Sequence, residues 1–132
     1  MTPIRIASAA EADVAAILRL IRGLASYEKL SHEVVATEHD LRNSLFGPQP
    51  AAEVLMAFAA EEAVGFALFF TSYSTFVGKP GIYLEDLFVL PQWRGQGIGS
   101  RLFRAVARVA VERGSGRMEW AVLDWNAPAL DF

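Results

Sequence analysis

The chain has 132 residues, of which 53% are hydrophobic, and this predicts one domain over residues 1–132 with a single well-filled core. Twelve basic and fifteen acidic residues give a net charge of -3, which argues against a sequence-independent grip on nucleic acid and favours a cationic partner. Cysteine is absent and no apolar run approaches the roughly 18 residues of a membrane span, so we exclude disulfides and thiolate zinc sites and expect a cytoplasmic protein.

The first third of the chain predicts a strand and two helices. A short alternating strand covers residues 3–7, and Ser8 with Glu11 has the spacing of a capping box at the start of a helix. The apolar positions that follow repeat with the helical period. Thr37 and Asp40 have a weaker form of the same cap, which predicts a second helix that ends at Gly47.

The rest of the chain predicts four strands and one long helix. Residues 54–59 and 64–73 form an antiparallel hairpin, and after a loop over 74–81 residues 82–90 form a third strand. A helix over 97–113 precedes a strand over 118–123. Because the hairpin strands are mostly apolar, we expect helices on both sheet faces, and therefore an α/β (α+β) fold with a mixed, mostly antiparallel central sheet.

A glycine-rich turn, RGQGIG at residues 94–99, follows a predicted strand and opens a predicted helix. In this context backbone amides and the positive end of the helix dipole make an anion site. The alternative is a plain corner between strand and helix that needs φ > 0. The glycine spacing differs from the dinucleotide fingerprint, and no lysine lies near, as a nucleotide-triphosphate loop would require.

Two adjacent carboxylates, Glu85 and Asp86, interrupt the third long strand. Side chains alternate along a strand, so we expect them on opposite faces, with at least one partly buried or lining a cleft. Burying a carboxylate costs several kcal/mol unless it is paired, so a function is one explanation. A structural partner for an arginine, or a β-bulge, is the other. A carboxylate in a cleft can attract an ammonium group and then relay its proton to water.

These segments together resemble the GNAT superfamily of N-acetyltransferases. Its R/Q-x-x-G-x-G/A signature is matched by Arg94, Gly97 and Gly99. The segments YLEDLFVLPQWRGQGIGSRLF, ILRLIRGLASYEKL and WNAPALDF resemble the diamine (spermidine/spermine N1-acetyltransferase-like) branch, so the similarity covers nearly the whole chain. The resemblance implies an enzyme that transfers acetyl from acetyl-CoA to a primary amine of a small polyamine or diamino-acid-like substrate, by direct attack in a ternary complex.

The resemblance also implies roles for individual residues. Glu85 is the implied catalytic base, acting through water, and the Val89 amide is expected to polarise the acetyl carbonyl. The residues implied to bind the cationic amine are Tyr27, Glu28, Glu85 and Asp86. The residues implied to bind acetyl-CoA are Leu87, Phe88, Val89, Arg94, Gly95, Gln96, Gly97, Ile98, Gly99, Ser100 and Asn126. No metal is expected: His32 and His39 are seven apart without a ligand motif, and Glu33 is at most an additional charge.

The sequence departs from the family pattern at its end. The family continues W-N-x-x-x-x-x-F-Y, and its tyrosine protonates the leaving thiolate; here Trp125, Asn126 and Phe132 match, and the sequence stops one residue earlier. The last two strands of the fold are missing as well, which suggests a fragment or a natural remnant. An exposed apolar edge at residues 118–123 then predicts a homodimer. The alternative function is a non-catalytic acyl-CoA-binding or dimerisation module.

Overall fold

The structure is a computed structural model, and it describes residues 2–120. The strands in this range are β1 (Ile4–Ser8), β2 (Glu53–Ala59), β3 (Glu62–Ser74), β4 (Lys79–Val89) and β5 (Met118–Trp120). The helices are α1 (Val14–Tyr27), α2 (Glu38–Phe46) and α3 (Ile98–Glu112). The strands form one sheet in chain order, antiparallel from β1 to β4, and α3 makes the crossover to β5, which runs parallel to β4. No helix of the described chain is both long and apolar enough to cross a bilayer.

Two hydrophobic cores lie on opposite faces of the sheet, so the prediction of a single core is wrong. The α1/α2-side core includes Val14, Ile17, Leu20, Leu41, Leu45, Met56, Phe66 and Phe88. The α3-side core includes Ala57, Val64, Phe69, Ile82, Leu84, Ile98, Leu102 and Val106. Neighbouring residues such as Met56 and Ala57 therefore face opposite helices, as the period-two pattern of a doubly covered strand requires. The predicted fold class, a mixed and mostly antiparallel sheet with helices on both faces, is confirmed.

The two predicted helix caps have different outcomes. At α2 the Thr37 hydroxyl accepts the Asp40 amide at 3.1 Å and the Asp40 carboxylate accepts the Thr37 amide at 2.9 Å, which confirms that capping box. The prediction at Ser8 is wrong, because Ser8 ends β1, where it pairs with Leu55. The chain instead makes a 3-10 turn in which the Asp13 carboxylate accepts the Ala10 amide at 2.7 Å, and α1 starts after it.

The β3–β4 hairpin is longer than the sequence predicts. Half of the expected loop over residues 74–81 is strand, and the turn is confined to residues 75–78. Ser74 is buried, and its hydroxyl accepts the Val77 amide at 3.1 Å, which closes the turn. Pro80, which disfavours a strand in sequence reasoning, lies opposite Tyr73 in the ladder. The predicted strand over 118–123 is described only to Trp120, and the predicted absence of two final strands concerns residues outside the described range.

Candidate active site

A β-bulge lies in the middle of β4. Asp86 is opposite Leu68 and Leu84 is opposite Phe69, so Glu85 is an extra residue with no partner on β3. An unpaired residue bends its strand and increases the local twist. The regular alternation on which the sequence expectation rested does not hold here, since Leu84 packs in the α3-side core whereas Asp86, two residues later, lies near the end of α1. Of the two carboxylates, Glu85 is exposed and Asp86 is partly buried.

Among the described residues, the bulge marks the point on β4 at which pairing with β5 ends. Within residues 2–120, β5 pairs with β4 only from Ile82 to Leu84. Residues 86–89 of β4 keep their partners on β3, and no described strand lies on their other side. This stretch contains Leu87, Phe88 and Val89, whose backbone groups the sequence analysis assigned to the cofactor. A strand edge without a partner is able to bond an extended ligand through its main chain.

Three carboxylates meet beside the bulge. Burial raises the pKa of Asp86 to about 7, and the nearby charges of Glu85 and Glu28 add to the effect. Burial also raises the pKa of Glu28, at the end of α1. Asp86 has no hydrogen-bond or ion-pair partner among the residues the structure describes. A nearby cation would stabilise the charged form of such a carboxylate, so the cluster is chemically suited to a positively charged group.

An arginine contacts two aromatic rings, one at the end of α1 and one near the end of β4. The Arg94 guanidinium carbon is 4.2 Å from the centre of the Tyr27 ring and 5.4 Å from that of Phe88. Arg94 Nε also donates a hydrogen bond to the Val89 carbonyl oxygen at 2.9 Å. The Tyr27 and Phe88 rings are 6.5 Å apart. Residues that the sequence assigned separately to acceptor and cofactor are therefore in contact, which spacing along the chain did not indicate.

The glycine-rich turn presents a row of backbone donors. Gly95 and Gly97 both have φ of 80°, and a Cβ at either one would meet nothing within 4 Å, so the backbone conformation and not space requires glycine there. Gly97 is the N-cap of α3. The backbone amides of residues 95–100 have no acceptor in the described chain, whereas the next one, of Arg101, bonds to the Gly97 carbonyl at 3.0 Å. Six such amides at a helix N-terminus have the chemistry to bind an anion.

The other predicted residues occupy less central positions. Ile98 is buried in the α3-side core, so only its amide faces the turn. Gln96 is exposed and Ser100 is half-buried on the first turn of α3. Glu33, His32 and His39 are exposed, and Glu33 is not among the groups that raise the pKa of Asp86. The predictions for Trp125, Asn126 and Phe132 fall outside the described residues.

Comparisons with known proteins show which family the chain resembles. The chain matches the family described as "Acetyltransferase (GNAT) family" over residues 17–132. It is 46% identical to the thialysine N-epsilon-acetyltransferase of Bos taurus over all of this chain and 82% of that protein. It is 32% identical to the L-ornithine N5-acetyltransferase NATA1 of Arabidopsis thaliana, over 97% of this chain and 76% of that protein. A crystal structure of an aminoglycoside acetyltransferase, meta-AAC0020 from an uncultured soil metagenomic sample, superposes with a TM-score of 0.83 at 26% identity, over 98% of this chain and 84% of that one.

Proposed function

Because the chain belongs to the acetyltransferase (GNAT) family and is an N-acetyltransferase, we propose that it acetylates a primary amine of a small diamine or diamino acid. The proposal rests on the observation that groups suited to an anion and groups suited to a cation lie close to the same bulged strand, β4. Six unbonded amides suit an anion on one side, and three carboxylates suit a cation on the other. These are the charges of acetyl-CoA and of an alkylammonium.

The described residues fit acetyl-CoA, the co-substrate of this family, in two respects. The amides of residues 95–100 would hold its diphosphate, since they lack acceptors and lie at the positive end of α3. The edge of β4 at Leu87, Phe88 and Val89 would pair with its pantetheine arm, since no described strand covers that edge. Asn126 remains part of this proposal on the resemblance alone. When bound, acetyl-CoA supplies an acetyl group activated as a thioester.

The acidic cluster would bind the protonated amine and remove its proton. An alkylammonium has a pKa of about 10.4, so at neutral pH it must lose a proton before its nitrogen can attack. We assign the attraction of the cation to Glu28 and Asp86, with Tyr27 beside them, and the removal of the proton through water to Glu85, the exposed residue of the bulge. The new N–C bond replaces the C–S bond, and the released thiolate takes up a proton. The amide of Val89 would polarise the carbonyl oxygen during attack.

The acceptor class follows from the number of carboxylates and from the relatives. One ammonium needs one counter-charge, and three acidic side chains suit an acceptor that carries a second amino group. Thialysine and ornithine, the acceptors in the names of two relatives, each carry two amino groups. Both agree with the diamine branch that the sequence resembles. We therefore propose diamino acids and short polyamines as substrates, in preference to monoamines.

An acetylation assay tests the proposal. Thiol release is measured with acetyl-CoA and a panel of thialysine, ornithine, spermidine and a monoamine of matched length. We expect the diamino compounds to be preferred, and Glu85→Gln to lower kcat about 10²-fold or more with little change in cofactor affinity. Equal losses of kcat and of cofactor affinity would remove Glu85 from the role of base. Saturable binding of CoA without amine-dependent thiol release would instead support the non-catalytic binding module.

We further propose that the protein is a cytoplasmic homodimer that pairs through β5. This strand is at the edge of the described sheet, and Trp120 is 47% exposed there. An exposed strand edge with apolar side chains is a surface that pairs readily with a second chain. Sedimentation at several concentrations tests the dimer, and a monomer at all of them would contradict it.

A further inference from the structure

We propose that Arg94 is a positioning residue that couples binding of the amine to binding of the cofactor. Its side chain connects three parts of the site: the Val89 carbonyl at the end of β4, the Phe88 ring, and the Tyr27 ring at the end of α1. The family signature assigns this position to the cofactor loop alone. The inference rests on the proposed function, since it concerns how the two substrates of that reaction affect each other.

The geometry fixes both ends of the connection. Arg94 directly precedes Gly95, whose amide is the first of the six without an acceptor, so an anion that orders this turn also orders the Arg94 backbone. The Nε bond to Val89 at 2.9 Å holds the guanidinium against the end of β4. The guanidinium then lies 4.2 Å from the centre of the Tyr27 ring, within the range of a cation–π contact.

The connection reaches the acceptor side through one residue. Tyr27 ends α1, and Glu28, whose charge helps to raise the pKa of Asp86, directly follows it. The contact with Arg94 fixes the Tyr27 ring and therefore restricts the position of the Glu28 carboxylate relative to Asp86. Coupling between two ligands is reciprocal, so a turn ordered by CoA raises the affinity for the amine by the same factor as the amine raises the affinity for CoA.

Calorimetry measures this factor directly. The amine is titrated into the protein alone and into the protein saturated with CoA, which carries no acetyl group and cannot react. For the wild type we expect CoA to raise amine affinity about tenfold, a coupling of about 1.4 kcal/mol. Arg94→Gln should bring the ratio near one, and Tyr27→Leu should do the same from the other side of the contact. The double variant should lose no more than either single variant, because both remove one interaction.

Matched variants separate this role from others. Tyr27→Phe keeps the ring and should keep the coupling. Arg108→Gln removes an exposed arginine of α3 that has no ion pair in the described chain, and should also keep it. The inference is overturned if Arg94→Gln weakens only CoA binding and leaves the ratio intact, as expected for a residue that merely holds phosphate. Losses that multiply in the double variant would overturn it equally. If Arg94→Gln does not fold, Tyr27→Leu decides.

Failure of the proposed function has a different signature. If the wild type acetylates no amine of the panel, that function fails, while the contact can still be tested with CoA alone. The ring signals of Tyr27, assigned by comparison with Tyr27→Phe, should then shift in NMR spectra when CoA is added. Arg94→Gln should abolish the shift. A shift that persists in this variant would show that the ring senses CoA by another route and would overturn the inference.

Discussion

The raised pKa of Asp86 predicts that the acidic cluster reduces the stability of the fold above neutral pH. With a pKa of about 7 in place of the ordinary 3.8, the folded protein keeps a proton that the unfolded chain releases between roughly pH 4 and pH 7. The unfolded state binds fewer protons in this window, so the free energy of unfolding falls as pH rises through it. At about 1.4 kcal/mol per pKa unit, the loss reaches at most about 4 kcal/mol at pH 8.

Asp86→Asn removes the carboxyl that causes this loss. An amide resembles the protonated acid in size and charge, so the variant should match the wild type near pH 3, below the ordinary pKa of 3.8, and be more stable at pH 8. Urea unfolding at a series of pH values measures the difference. Glu61→Gln, at an exposed position of the β2–β3 turn, is the control and should shift stability by less than about 0.5 kcal/mol at every pH. A stabilisation by Asp86→Asn that does not vary with pH would refute the reasoning.

Two further predictions concern the turn and a cap. Gly97→Ala forces a residue with a Cβ to φ of 80° and should destabilise the turn by about 1–2 kcal/mol, so CoA affinity, measured by calorimetry, should fall. Gly99→Ala, where the nearest atom to a new Cβ is Val89 Cγ2 at 3.8 Å, should bind CoA normally; equal losses in both variants would contradict this explanation. Thr37→Ala removes the confirmed cap of α2 and should lower the free energy of unfolding by about 1 kcal/mol without affecting acetyl transfer. An unchanged midpoint in thermal unfolding would show that the cap contributes nothing.

Local patterns predicted the elements of the fold well where one physical cause acts alone. The apolar stripe of α1 and the Thr37 cap depend only on nearby residues, and each was predicted from them. The prediction that Ser8 caps a helix failed because Ser8 can either cap a helix or pair in the sheet, and it pairs with Leu55. The predicted length of the β3–β4 hairpin was wrong for a related reason. Residues 79–81 become strand by pairing with residues 72–74 of β3, which their own local sequence does not indicate.

The sequence indicated which residues belong to the candidate site, but it did not predict how they are arranged in space. The sequence drew attention to Glu85, Asp86 and the glycine-rich turn, and the resemblance supplied their roles. The register that makes Glu85 an extra residue depends on how β3 and β4 pair, which no local pattern contains. Arg94 and Tyr27 are far apart in the sequence. Their contact depends on how α1 and the glycine-rich turn are positioned in the folded protein, which no local pattern predicts.

The bulge leads to one last prediction, because the side chains on either side of Glu85 would alternate between the two sheet faces if it were absent. Leu84 and Leu87 pack on the α3 side and Phe88 on the α1/α2 side, so removal of Glu85 leaves strict alternation from Leu84 through Asp86 to Phe88. A chain lacking Glu85 should therefore fold, with a free energy of unfolding within about 1 kcal/mol of the wild type. It should lose both acetyl transfer and CoA affinity, since the bend in β4 beside the proposed cofactor-binding edge disappears with the extra residue. Glu85→Gln keeps the bend and should retain CoA affinity while losing turnover. Circular dichroism and CoA titration of the two variants compare these effects, and an unfolded deletion variant would mean that Glu85 is part of the register and not an addition to it.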